Sequence, residues 1–103
     1  MPPSRRLPTL SPKEFLILEL LVREDELYGL QLVAASKRHL KRGTVYVTLG
    51  RMQEKGYVAS RLEDPDPKAG GLPRRLYRPT ALGRRMLSVW TSVAQRLVPE
   101  FAR

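Results

Sequence analysis

Apolar residues recur at helical spacing in four stretches of the chain and give way to short extended runs in between. The first stretch opens on Leu10-Ser11-Pro12-Lys13-Glu14-Phe15, a complete helix start: Ser11 is the N-cap, Pro12 takes the first helical position and Glu14 closes a capping box. Leu10 and Phe15 are placed to form a hydrophobic staple across it. The helix is predicted to run to about Arg23 with Phe15, Leu18, Leu21 and Val22 on its apolar side. The acidic run Glu24-Asp25-Glu26 then reads as a solvated turn. A second, shorter helix is predicted from Tyr28 to Arg38, with Leu30, Val33 and Ala34 on one face and Gln31 and Lys37 pointing elsewhere.

A turn around His39-Leu40-Lys41-Arg42-Gly43 leads to a third helix, Gly43 to Lys55, whose buried stripe is Val45, Leu49 and Met52. Gly56 follows as its C-terminal cap. Two helices joined by a tight turn, the second backed by a narrow core stripe, are the layout of a helix-turn-helix reader of DNA. Short helix pairs are common, so the layout needs the context that follows.

After Gly56 the period changes. Tyr57 to Leu62 and Arg75 to Arg78 are aromatic- or β-branched-containing runs that read as paired strands. The segment between them, Glu63 to Arg74, is rich in Pro, Gly and charge and reads as a long hairpin loop, or wing. A last helix is predicted from the N-cap Thr80 to about Val98, ended by Pro99, with Leu82, Met86, Val89, Trp90, Val93 and Leu97 on one stripe. The expected class is therefore α+β, mainly α with a small β-hairpin. A basic arm (1–9) precedes a winged helix-turn-helix domain (10–79), a dimerisation helix (80–98) and a short tail (99–103).

Length and charge narrow the function. At 103 residues the sequence has room for one compact core, and a second catalytic domain does not fit beside it. Lys and Arg number 19 against 10 Asp and Glu, a net charge of +9 that favours a polyanionic partner, nucleic acid before anionic membrane. No apolar run nears the roughly 20 residues that span a bilayer, and Met1-Pro2-Pro3-Ser4-Arg5-Arg6 is not followed by a signal-peptide core, so a cytoplasmic protein is expected. Cysteine is absent and His39 is the one histidine, which argues against thiol chemistry, a structural metal or any cofactor. His39 has no evident nucleophile partner, the consecutive run Glu24-Asp25-Glu26 cannot converge on one helical face, and no phosphate-binding glycine signature is present, so no enzyme is expected.

With Val45, Leu49 and Met52 inward, the third helix turns Gly43, Thr44, Val47, Gly50 and Arg51 outward, on a rod of the width that fits a major groove. Arg51 is the first candidate for a base or phosphate contact, against the plain alternative of a solvated helix arginine. Thr44 and Val47 offer a hydroxyl and methyl groups suited to thymine methyls. Gly50 either permits a close backbone approach or is a tolerated defect. Tyr46 reads equally as a core aromatic or as a phosphate ligand. Lys41 and Arg42 precede the helix N-terminus, where the backbone favours a phosphate, or are simply a basic turn. Lys68, Arg74 and Arg75 are wing candidates for flanking phosphates or the minor groove, while Glu63, Asp64 and Asp66 must face away from DNA.

The apolar stripe of the last helix exceeds what a lone surface helix needs, and a homodimer is the economical explanation. Met86 and Trp90 are candidates to wall an apolar effector pocket at that interface, although most aromatics at helical spacing are core. A different class stays open: a winged helix that binds proteins and has no sequence-specific affinity for DNA.

Taken in order, these pieces resemble the PadR-like transcriptional regulators. The resemblance covers about Ser11 to Leu97 and is carried by Tyr28-Gly29, by Gly43-Thr44-Val45-Tyr46 with Leu49, Arg51 and Glu54-Lys55-Gly56, and by Gly70-Gly71 through Arg75, Tyr77, Thr80 and Gly83. It implies a winged-helix dimer that represses transcription, often of its own gene, and is released by a small effector or stress signal. A single C-terminal helix matches the family's compact subgroup. The sequence departs from the family pattern at Val47, where Pro is frequent, at Leu72, where Arg is frequent, and at Lys41-Arg42, where a small polar cap is usual. These departures bear on base contacts more than on the fold.

Overall fold

The computed structural model describes residues 10–64 and 73–97, with side chains as far as Val93. Its elements are α1 (Pro12–Glu24), β1 (Leu27–Tyr28), α2 (Gly29–Ala35), α3 (Arg42–Glu54), β2 (Val58–Leu62), β3 (Arg75–Pro79) and α4 (Ala81–Leu97). The arm 1–9, Lys68, Gly70-Gly71, Leu72 and the tail 99–103 lie outside the described residues, as does the side chain of Leu97.

Helix α1 starts as its sequence dictates. Ser11 Oγ accepts from the Glu14 N–H at 3.2 Å and Glu14 Oε1 accepts from the Ser11 N–H at 2.8 Å, so two of the orphan donors at the helix start are satisfied reciprocally. Glu14 is also buried, at 3% exposure, and Lys55 Nζ donates to both its carboxylate oxygens at 2.8 and 3.1 Å. One carboxylate thus caps α1 and ties it to the end of α3. The buried face of α1 is wider than its period suggests, with Ile17 and Leu20 inside beside Leu18 and Leu21, while Phe15 and Val22 are half-buried.

The second helix departs most from expectation. It ends at Ala35 because Lys37 and Arg38 take left-handed conformations, φ 54° and 73°, which no helix continues through. Ser36 fastens the turn: its Oγ donates to the Val33 carbonyl at 2.8 Å and accepts from the Leu40 N–H at 3.0 Å, seating Leu40 in the core. The inward face of α2 is Gly29 and Leu32, whereas Leu30 is 46% exposed, Ala34 is exposed and Val33 is half-buried. Helix α3 carries the expected stripe, with Val45, Leu49 and Met52 all at 0% exposure, each stabilising by about 1.5–3 kcal/mol. It closes in a Schellman motif: the Gly56 N–H donates to the Gln53 carbonyl, the Tyr57 N–H donates to the Met52 carbonyl, and Gly56 sits at φ +81°.

Strand β1 has no counterpart in the sequence reading. Its two residues become a strand by pairing antiparallel with β3, Leu27 opposite Tyr77 and Tyr28 opposite Leu76. The sheet order is β1-β3-β2, with β2 and β3 forming the hairpin from Val58↔Pro79 to Leu62↔Arg75. The acidic run is likewise more than a solvated turn. Glu26 receives two hydrogen bonds from Arg61 of β2 at 2.8 and 2.9 Å, and Asp25 lies 3.5 Å from Arg84 of α4.

The Arg61 hydrogen bonds hold the Glu26 carboxyl below its ordinary value. A carboxylate whose pKa is depressed by folding contributes stability that is present above its unfolded value, about 4.3, and lost as pH falls through the folded one. Glu26→Gln is therefore expected to melt below the parent at neutral pH. The two melting temperatures should converge as pH is lowered past about 4, and a gap that persists in acid would exclude the ion pair as its cause.

Helix α4 begins at the N-cap Thr80, whose Oγ1 accepts from the Gly83 N–H at 3.0 Å and donates to the Gly56 carbonyl. Its inner face sets Met86 in the core, at 8% exposure, with Leu87 and Trp90 packed against it. No helix among the described residues is long and apolar enough to cross a membrane.

Candidate nucleic-acid interface

Helix α3 presents its outer face to solvent, with Val47 56% exposed and Gly43, Gly50, Arg51, Lys41 and Arg42 also exposed. Thr44 is half-buried at the edge, and its carbonyl accepts from Thr48 Oγ1 at 2.9 Å. The helix starts at the N-cap Lys41 without a side-chain cap, which leaves its first N–H groups to an outside acceptor. Among the described residues no carboxylate pairs with Lys41, Arg42 or Arg51. Their charge is uncompensated, which is the condition for phosphate attraction.

Tyr46 is neither fully buried nor free of the fold. It is 46% exposed, yet its ring is pressed onto α2 at Gly29, where an added Cβ would lie 2.5 to 2.7 Å from ring and hydroxyl atoms. Gly29 thereby leaves room for the Tyr46 ring in the position it takes. Gly50 meets the opposite situation: nothing lies within 4 Å of a Cβ added there, so its missing side chain leaves open space on the outer face.

A cleft of about 710 Å³ runs between this face and the start of α1, lined by Leu10, Ser11, Lys13, Val47, Arg51 and Lys55 among others. Sequence reading missed the α1 side of this surface. The basic Lys13 in the first turn was its only signal, because the proximity of α1 to α3 is a tertiary fact carried by the Glu14 to Lys55 ion pair.

The two wing arginines behave differently. Arg75 is exposed and its Nη1 donates to Ser60 Oγ at 3.1 Å, with no carboxylate partner among the described residues. Arg74 is committed within the chain: its Nε donates to Glu63 Oε1 at 2.7 Å and its guanidinium lies 4.3 Å over the Tyr28 ring. Arg74 is thus paired within the chain, with its side chain still 55% exposed.

On α4, Leu82, Val89 and Val93 are 42%, 49% and 37% exposed and share one side of the helix, whereas Met86 belongs to the protomer core. Of the expected interface stripe, Met86 faces inward in the protomer and Trp90 is half-buried beside it. Both pack against the core of the protomer.

The profile of the Transcriptional regulator PadR-like family matches residues 17–89, from the middle of α1 to the middle of α4. The chain belongs to this family. Solved PadR-family structures share the fold. The PadR family transcription regulator of Clostridium difficile R20291 is 22% identical, with a TM-score of 0.72 over 90% of this chain and 100% of that one. The PadR family transcriptional regulator of Eggerthella lenta DSM 2243 is 25% identical, with a TM-score of 0.69 over 84% and 78%. Bacillus subtilis PadR, solved in complex with operator DNA, is 24% identical, with a TM-score of 0.67 over 76% of this chain and 45% of that one. No curated protein sequence matches the chain. The PadR-like match spans the helix-turn-helix, the hairpin and the first half of α4, and the solved PadR-family structures share that winged-helix architecture.

Proposed function

We propose that this PadR-like chain is a repressor that binds an inverted-repeat operator in double-stranded DNA as a homodimer and is released by a small apolar effector. The observation that carries the reading is the outer face of α3: an exposed helix surface with Lys41, Arg42 and Arg51 uncompensated around Thr44 and Val47. Arg51 supplies a bidentate donor for guanine or a phosphate, Thr44 and Val47 supply surface for thymine methyls, and Tyr46 and Arg75 are further candidates for phosphate. The exposed Leu82, Val89 and Val93 of α4 support the dimer, because burying them against a second copy removes apolar surface that the protomer leaves in water. A two-fold dimer sets the recognition helices about 34–36 Å apart, one turn of the duplex. That B. subtilis PadR was solved on operator DNA supports the same reading by kinship.

Selection of genomic fragments by the purified protein tests it. Enrichment of a few fragments that share an inverted repeat, by a protein that sediments as a dimer, is the expected outcome. Recovery of no common sequence would favour a winged helix that binds protein instead.

A further inference from the structure

The neck of the wing is closed by a cluster that the DNA-binding reading does not use. Glu63 and Arg74 face each other where the hairpin leaves the sheet: the Glu63 N–H donates to the Arg74 carbonyl at 2.8 Å, and Glu63 Oε1 accepts from both the Arg74 N–H at 3.2 Å and its Nε at 2.7 Å. The guanidinium stacks on Tyr28, the residue that precedes α2 and whose N–H is itself held by Gln31 Oε1 at 2.9 Å. Tyr28 is followed by Gly29, on which Tyr46 of α3 rests. A continuous path of contacts thus joins the base of the hairpin to α3. Arg74 has its carboxylate and its ring already, and the neighbouring Arg75 has neither.

We infer that Glu63 is a specificity-determining residue of the DNA-binding surface: by holding Arg74 against Tyr28 it withholds one cation from DNA and fixes the base of the hairpin against the residue that precedes α2. Nonspecific binding draws on every cation within reach of a phosphate, whereas base reading draws on a fixed geometry. A cation engaged by Glu63 and Tyr28 contributes less to the first and, by fixing the base of the hairpin, serves the second. Glu63 acts through Arg74 and is a positioning residue. Carboxylate and guanidinium satisfy each other at the neck, and the Arg74 hydrogen bonds hold the Glu63 carboxyl below its ordinary value.

This inference rests on the proposed DNA binding, and its test separates the two. The binding constant for a short duplex of mixed sequence is measured across a salt series for the parent, Arg74→Ala, Glu63→Gln and the double variant. The logarithmic salt slope for B-DNA changes by about 0.9 per phosphate neutralised. Arg74→Ala is expected to leave the slope at the parent's value, because that cation is not on DNA. Glu63→Gln is expected to steepen it by about 0.9, which is about a threefold larger loss of affinity between 50 and 200 mM salt. The double variant is expected to return to the parent slope, since the freed cation is gone. A shallower slope in Arg74→Ala, no change in Glu63→Gln, or equal steepening in the single and double variants would each overturn the latch. The last of these would show that loss of a negative charge, not release of Arg74, was responsible. A parent that binds no duplex at low salt overturns the DNA reading itself, and the latch's role with it.

Discussion

Gly83→Ala is expected to lower stability by about 1–3 kcal/mol, the range for a group forced into a packed site, and so to drop the melting temperature by several degrees. Gly83 is buried in the first turn of α4, where an added Cβ would collide with the carbonyl oxygen of Tyr57 and come within 3.2 Å of Leu18 Cδ2. That carbonyl cannot step aside, because it accepts the Thr80 N–H at 3.0 Å and belongs to the turn that ends α3. Alanine is favoured over glycine by about 0.8–1.0 kcal/mol inside a helix, so intrinsic propensity predicts the opposite sign. Thermal melts decide between them. A rise in melting temperature would show that α4 does not sit on Tyr57 as closely as described. Gly50→Ala is the matching control, for it has the same propensity gain and open space around it.

Arg51→Ala is expected to cost about 1–3 kcal/mol of discrimination between operator and other DNA, a loss of roughly 5- to 150-fold, with the dimer intact. Arg51 is exposed, unpaired among the described residues, and stands with Val47 in the wall of the cleft between α3 and α1. Its removal leaves the stripe of Val45, Leu49 and Met52 untouched, so the melting temperature should stay within a degree or two of the parent's. If affinity for operator and shuffled duplex falls equally, Arg51 touches phosphate rather than a base. If neither changes, it is a solvated helix residue.

What was legible in the sequence was local. The Ser11 to Glu14 capping box, the stripe of α3, the Gly56 cap and the Thr80 N-cap each involve residues within a turn or two, and all stand in the structure. What was not legible depends on distant partners. Leu27-Tyr28 is extended only because β3 lies beside it. The face of α2 was misjudged because Gly29 contributes no apolar side chain to a periodicity, yet it is the residue that receives Tyr46. Lys37 and Arg38 carry no mark of left-handed backbone, a conformation unfavourable by roughly 1–2 kcal/mol in residues with a Cβ, so the early end of α2 was hidden. At the site, the exposed residues of α3 followed from its period. The commitment of Arg74 to Glu63 did not, since it crosses a loop and depends on where Tyr28 is placed.

The central claim is that this face reads a DNA sequence rather than merely attracting polyanions. Fluorescence-anisotropy titration against the DNA upstream of the protein's own gene and a shuffled copy, across a salt series, tests it directly, because electrostatic binding collapses with salt and base reading keeps its margin. Binding to the native duplex at least about a hundredfold tighter than to the shuffled one at physiological salt is the predicted result. Equal affinity for both at every salt concentration would contradict it for an autoregulating protein.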